Sequence, residues 1–289
     1  MPIKLLDYQL DAIERTHVGS ILCGSTGSGK SLTGLGYYYM VNGGDLSNGE
    51  FNKPMVNPQD LYIITTPYKR DSHEWEQELT HIAMSPLPKA SIYENEVVID
   101  SWNNIQKYIG VTNAFFIFDE QKVIGKGAWA KAFIKITKKN SWILLSATPG
   151  DSWSDYVSVF IANGFLKNRT EFNNNFVEWS PYTTFPSIKR YLREEQLTRW
   201  RDAVLITMAY KPNTVQHHTT IMCQYDKQFY KQIFKDKKNP YKFWEVKGVL
   251  FQKPIESGAE FSYILRKIVS SDPDRQKQML AICDRHPKV

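Results

Sequence analysis

The octapeptide GSTGSGKS, Gly24 to Ser31, constrains the fold of this chain more than any other stretch. It follows the apolar run Ile21, Leu22 and Cys23 and opens a segment that reads as a helix. That is the strand–loop–helix setting which G-x-x-x-x-G-K-[ST] needs in order to cradle phosphates. Gly24, Gly27 and Gly29 allow backbone conformations and close approaches that a Cβ would block, so successive N–H groups can point at one anion. Ser25, Thr26 and Ser28 complete the loop. A helix beginning near Lys30 adds the partial positive charge of its N-terminus. Lys30 is expected to reach the β- and γ-phosphates, and the Ser31 hydroxyl to ligate Mg²⁺. The stretch therefore predicts a nucleoside-triphosphate site that also takes Mg²⁺.

Residues 1–150 hold further short apolar runs: Leu61–Thr65, Val97–Asp100, Phe115–Phe118 and Trp142–Leu145. Continuous runs of this kind fit parallel strands buried on both faces. Helix-like segments lie between them at Ser31–Val41, Arg70–Ile82 and Lys126–Thr137, so the class is α/β with a mostly parallel sheet flanked by helices. Asn42–Asp60 reads as a surface loop. Each run ends in polar residues: GSTGSGKS, TTPYKR, DSWNN, DEQK and SATPG in turn. In an open parallel sheet, ligands bind at the carboxyl ends of the strands. The five segments are expected to line one edge.

Beyond Gly150, helices are expected at Trp153–Phe165, Ser187–Ala209, Asp226–Lys235, Ser257–Val269 and Asp274–Asp284. A loop-rich stretch is expected at Asn168–Pro186 and a strand at Thr214–Tyr225. This predicts two regions, 1–212 with the nucleotide-site motifs and a smaller mixed region, 213–289.

FFIFDEQK ends an apolar strand in two adjacent carboxylates. Asp119 is expected to hold Mg²⁺, and Glu120 to orient and deprotonate the water that attacks the γ-phosphate. Ser146 and Thr148 of SATPG are placed to relay the state of that phosphate. In TTPYKRD, Thr65, Thr66, Lys69 and Arg70 are donors suited to nucleic-acid phosphates. Ser101 and Trp102 are placed to contact a sugar-phosphate strand or a base. Gln9 follows Tyr8 on an amphipathic helix, and its amide can read an adenine edge.

Net charge is uneven. Residues 1–150 carry 14 Lys and Arg against 15 Asp and Glu, whereas 151–289 carry 22 against 15. A basic second half suggests a polyanion partner. No run of about 18 apolar residues exists to span a membrane, and the charged N-terminus does not read as a secretory signal. Cys23, Cys223 and Cys283 are too scattered for a zinc site or a disulfide framework. The vicinal His217 and His218 read as structural. A reducing, cytoplasmic compartment fits these features.

Together the motifs resemble the superfamily-two helicases and translocases, whose motor consists of two RecA-like lobes closing on ATP. YQ at Tyr8–Gln9 resembles the adenine-reading glutamine motif, and GSTGSGKS resembles motif I. TTPYKR resembles motif Ia, DSWNN motif Ib, DEQK the DEAD/DEAH motif II and SATPG motif III. The runs AFFIFDEQ, WILLSATPGDSW and FIANGFLKNRTEF are similar to DEAD-like helicases encoded by phages of streptococci and related bacteria. The resemblance implies a RecA-like first lobe and an ATP hydrolase acting on DNA, single- or double-stranded, with RNA also open. It implies a role in phage DNA replication or recombination. The chain departs from the family at Gln121 and Lys122, and it contains no Q-x-x-G-R-x-x-R arginine-finger motif. Residues 213–289 are therefore expected to lead into an incomplete second lobe, with weak hydrolysis unless another polypeptide supplies the rest. The alternative is a regulatory ATP-binding module that grips DNA or a partner without moving.

Overall fold

The computed structural model describes residues 3–86, 91–119, 127–181, 186–210, 220–236, 244–246, 249–251 and 258–285. Helix α1 (Asp7–Arg15) precedes β1 (Ile21–Cys23), and α2 (Lys30–Val41) follows the glycine-rich loop. Next come β2 (Leu61–Thr65), α3 (Pro67–Asp71), α4 (Glu74–Leu79), β3 (Val97–Ser101), β4 (Phe115–Asp119), α5 (Ala128–Thr137) and β5 (Ser141–Ser146). They are followed by α6 (Trp153–Ala162), α7 (Arg169–Phe176), β6 (Val177–Trp179), β7 (Ile188–Tyr191), α8 (Glu194–Val204) and β8 (Leu205–Thr207). These elements lie in one compact unit, Met1–Pro212; a second unit is Asn213–Val289. The second unit holds α9 (Lys227–Asp236), β9 (Trp244–Val246), β10 (Val249–Phe251), α10 (Gly258–Ser270) and α11 (Pro273–Arg285). There β9 and β10 pair antiparallel, and Ile233, Ile264 and Ile268 form a small apolar cluster.

Among the described residues of the first unit, six strands form a parallel sheet in the order β3-β2-β4-β5-β1-β8. The period-two alternation of a strand sorts its side chains between two layers. Ile21, Tyr62, Ile64, Phe116, Phe118, Trp142 and Leu144 pack with Phe133, Phe160, Phe172 and Leu197 from α5 to α8. Leu22, Leu61, Ile63, Phe115, Ile117, Ile143 and Leu145 face the other way, onto Ile13, Leu35, Trp75 and Leu79 from α1, α2 and α4. Burial on both faces is why the strands read as unbroken apolar runs. Phe115 to Phe118 are all fully buried. At about 1.5–3 kcal/mol per side chain, they anchor β4 inside the sheet and fix Asp119 at its carboxyl end.

The fold is thus the expected α/β one, a RecA-like lobe built on a parallel sheet. Several segments differ from expectation. The helix expected over Arg70–Ile82 starts earlier and is broken. Thr66 caps α3 by accepting from the Lys69 N–H, Pro67 fills the first turn, and His73 adopts a left-handed φ of 56° before α4 begins. The helix expected over Ser187–Ala209 is instead β7, α8 and β8. Ile188–Tyr191 satisfies its backbone by pairing with β6, and Leu205–Thr207 pairs with β1. The stretch expected to be loop-rich, Asn168–Pro186, contains α7, capped by the Asn168 side chain accepting from the Glu171 N–H, and β6. Of the strand expected at Thr214–Tyr225, residues 220–225 form no strand. The remainder, including His217 and His218, lies outside the described residues. No described helix is long and apolar enough to cross a membrane.

Candidate functional site

The glycine-rich loop leaves the carboxyl end of β1 and enters α2. Gly27 and Gly29 adopt φ values of 81° and 72°, the left-handed region that favours glycine. A Cβ at Gly24 would stand 2.4 Å from the Ser28 hydroxyl, and one at Gly29 would stand 2.4 Å from the Gln9 amide nitrogen. At Gly27 it would meet nothing within 4 Å, because Ser25, Thr26 and Gly27 form the exposed rim. Lys30 is buried, and its ammonium donates to the carbonyls of Gly24 (2.7 Å) and Ser25 (2.9 Å). Ser31 is half-buried in the first turn of α2. Burial pushes the Cys23 thiol pKa up, against the opposing charge of Lys30.

Helix α1 docks on this loop. The Tyr8 hydroxyl donates to the Ser28 carbonyl at 3.1 Å, and Tyr8 packs against Tyr210 at 5.6 Å between ring centroids. Gln9 is buried beside Gly29, with its Oε1 accepting from the Leu6 N–H at 2.8 Å. The Gln9 side chain therefore joins the start of α1 to the glycine-rich turn.

The second half of the site is Asp119. Its residue is 1% exposed, an environment that an ionised carboxylate tolerates only with partners. It has three. Oδ2 accepts from the Thr65 hydroxyl at 2.8 Å, the Trp75 indole N–H at 3.0 Å and the Lys69 ammonium at 3.1 Å. Oδ1 takes the longer Lys69 contact, 3.4 Å. The sheet register explains part of this arrangement. Leu61 pairs with Phe115 and Ile63 with Ile117, so Thr65 and Asp119 follow on the same face, the one covered by α2 and α4. Strand β5 lies between β4 and β1, with Asp119 beside Leu145 and Ser146 beside Cys23. Asp119 and the loop thus stand two strand spacings apart on one edge, about 10 Å.

Among the described residues, no cluster of three or more His, Cys, Asp or Glu side chains is arranged to hold a metal ion. Mg²⁺ commonly uses one or two carboxylates together with waters and substrate phosphates. The hydroxyl of Ser31 and the Oδ1 atom of Asp119 fit that donor chemistry. Glu120, the expected general base, lies outside the described residues, as do Gln121 and Lys122.

The other sequence-singled residues divide. Ser146 is buried; its carbonyl accepts from the Gly24 N–H at 3.3 Å and its hydroxyl from the Thr148 N–H at 3.1 Å. Thr148 is exposed. SATPG is thus hydrogen-bonded directly to the glycine-rich loop. Thr66 serves as the α3 cap. Arg70 is partly exposed, paired with Asp71 at 2.8 Å and Asp100 at 3.5 Å, and donates to the Ser101 hydroxyl at 3.5 Å.

Four side chains expected at a nucleic-acid surface are directed inward, Thr65 among them with its hydroxyl bonded to Asp119. Lys69 turns to Asp119, because a buried carboxylate attracts the nearest cation. Ser101 is 1% exposed, and Trp102 is 3% exposed. Trp102 packs on Phe118 at 5.4 Å and donates its indole N–H to the Asp119 carbonyl at 3.1 Å, the usual fate of a large aromatic with one polar atom. Beside them, burial raises the pKa of Asp100. Hydrogen bonds from Asn104, the Tyr108 hydroxyl and the Ser101 amide, with Lys107 nearby, outweigh it and hold this carboxyl below the usual range. Trp75 was not singled out by sequence. Its one signal is an indole N–H in a residue spaced to face the core, which must find an acceptor.

No protein-family model matches the chain. Among curated proteins, likewise, none matches. Among solved structures, the SWI2/SNF2 ATPase core of Sulfolobus solfataricus in complex with dsDNA is similar, with a TM-score of 0.53 at 16% identity. The match covers 93% of this chain and 58% of that one, so the chain spans under two thirds of its neighbour's length. A Pyrococcus furiosus Hef helicase domain is also similar at 16% identity, over 54% of this chain and 35% of that one, with a TM-score of 0.38. The first likeness shows that the chain shares the fold of that ATPase core.

Proposed function

We propose that this chain is the ATP-binding motor lobe of a superfamily-two DNA helicase or translocase, coupling ATP hydrolysis to movement on nucleic acid. The observation that carries the reading is the shared sheet edge. A glycine-rich loop with a buried lysine stands on β1, a buried carboxylate stands on β4, and SATPG lies between them, bonded to the loop. Gly24, Ser25, Thr26, Gly27, Ser28 and Gly29 form the phosphate cradle, and Lys30 binds the β- and γ-phosphates. Gln9, lodged against Gly29, reads the adenine. Ser31 and Asp119 hold magnesium, which when bound neutralises phosphate charge. Glu120 is the general base, and Ser146 and Thr148 couple the nucleotide site to the rest of the motor.

DNA as the partner draws on the neighbour, which is described in complex with dsDNA, and on the basic balance of residues 151–289. Thr66 and Arg70, the partly exposed cap and last turn of α3, are the contacts proposed from TTPYKR. The motif resemblance extends the reading to phage DNA replication or recombination in the host cytoplasm. Because the sequence has no Q-x-x-G-R-x-x-R motif, turnover by this chain alone is expected to be weak. An arginine finger is worth about 10³–10⁵ in related P-loop enzymes.

The test is ATP hydrolysis with and without duplex DNA, for the wild type and Lys30→Ala. Magnesium-dependent hydrolysis that DNA stimulates and Lys30→Ala abolishes is the expected result. Hydrolysis indifferent to Lys30→Ala rejects the reading. Nucleotide binding with DNA capture but no stimulation would instead indicate the gripping, non-translocating module.

A further inference from the structure

We propose that Thr65 and Trp75 are positioning residues that orient the Asp119 carboxylate for its metal-binding role, an inference that rests on the nucleotide-site reading above. Neither residue would touch nucleotide or metal. Both act through Oδ2 of Asp119, at 2.8 and 3.0 Å.

A carboxylate at a strand end turns about its side-chain torsions and offers either oxygen to a cation. Here two donors converge on one oxygen from different elements, the hydroxyl from the end of β2 and the indole N–H from α4. Thr65 is 0% and Trp75 1% exposed, so water does not compete for these bonds. Hydrogen bonds to a charged group are shorter and stronger than those between neutral groups. With Oδ2 held in this way, Oδ1 keeps acceptor capacity for a cation, carrying only the 3.4 Å Lys69 contact among the described residues. Lys69 supplies the positive charge that lets the carboxylate be buried, and the two neutral donors supply direction.

The backbone is shaped to deliver Trp75. The chain breaks between α3 and α4 at His73, which holds a left-handed φ of 56° that a non-glycine residue seldom adopts. After that break, α4 turns its second residue into the core beneath β4. Thr65 arrives by register, since its strand pairs residue for residue with β4. The two donors thus reach Asp119 by independent routes.

Outer-sphere partners of metal ligands typically change metal affinity by about 10–100-fold when removed. The test uses the full chain, with Lys30→Ala as control, and two readouts: binding of a fluorescent ATP analogue in EDTA and across a Mg²⁺ titration, and the Mg²⁺ concentration giving half-maximal ATP hydrolysis. Thr65→Val keeps shape and deletes the hydroxyl, Thr65→Ser restores a hydroxyl, and Trp75→Phe keeps an aromatic ring without the N–H. Thr65→Val and Trp75→Phe are expected to raise the Mg²⁺ requirement about 10–100-fold with metal-free nucleotide binding unchanged, and Thr65→Ser to stay near wild type. If Trp75→Phe does not fold, the Val and Ser pair at Thr65 decides. A wild-type Mg²⁺ requirement in the Val and Phe variants overturns the positioning role alone. Absence of Mg²⁺-dependent nucleotide binding in the wild type, with Lys30→Ala identical to it, overturns the nucleotide reading and this proposal together.

Discussion

Two lysines on the same sheet edge are held in opposite ways. Lys30 is bound by carbonyls five and six residues away in its own loop. Lys69 is bound by a carboxylate fifty residues away, on another strand, in a cluster completed by Thr65 and Trp75. The first site is made by local backbone, so its geometry is carried by eight consecutive residues and two left-handed glycines. The second is made by side chains from four elements and exists only once β2, α3, α4 and β4 have assembled. The difference implies that damage at Lys30 strikes chemistry, whereas damage at Lys69 strikes the fold as well.

Lys69→Met gives the largest stability effect. It leaves a 1%-exposed carboxylate without its cation, and breaking a buried pair of this kind typically costs about 3–5 kcal/mol. Urea unfolding measures it, and Lys69→Met combined with Asp119→Asn should recover much of the loss. An unchanged midpoint for Lys69→Met would erase the contrast. Lys30→Ala is its mirror image: hydrolysis falls by about 10²–10³-fold, the usual cost of removing a donor aimed at developing charge. Its urea midpoint should move far less than that of Lys69→Met. Gly29→Ala ranks third. Holding alanine at a φ of 72° costs about 1–2 kcal/mol, and the Gln9 amide must also yield, so both stability and nucleotide affinity should drop modestly.

The smallest effect concerns pH. Asp100 has a folded pKa below its ordinary value, so it contributes stability above the unfolded carboxyl pKa of about 4. That contribution is lost as pH falls through the folded value. Asp100→Asn should flatten the acid limb of a stability profile below about pH 4 and leave the neutral region nearly parallel to wild type. An identical acid limb would contradict the assigned hydrogen bonds.

The same contrast explains what was legible in the sequence. Five strands could be read from apolar runs because burial on both faces leaves an unbroken pattern, and the glycine-rich loop could be read because its contacts are local. Strand β8 was hidden: Leu205–Thr207 is short and follows α8 without a break, and its pairing with β1 spans more than 180 residues. The partners of Asp119 were legible in part. Thr65 follows from two-residue alternation once β2 and β4 are known to be neighbours, whereas Trp75 depends on a helix break at His73 that propensity does not mark. Thr65, Lys69, Ser101 and Trp102 read as surface groups from the sequence because strand ends usually face solvent. A buried Asp119, with its carboxylate and its carbonyl both seeking donors, drew Lys69 and Trp102 inward instead.

The glycine-rich loop and Asp119 are proposed to form one magnesium-dependent triphosphate site. Calorimetric titration of ATP, with Mg²⁺ and with EDTA, into wild type, Lys30→Ala and Asp119→Asn tests it most directly. Lys30→Ala should weaken binding under both conditions, while Asp119→Asn should lose only the increment that Mg²⁺ adds. Wild-type titrations from both variants would contradict it.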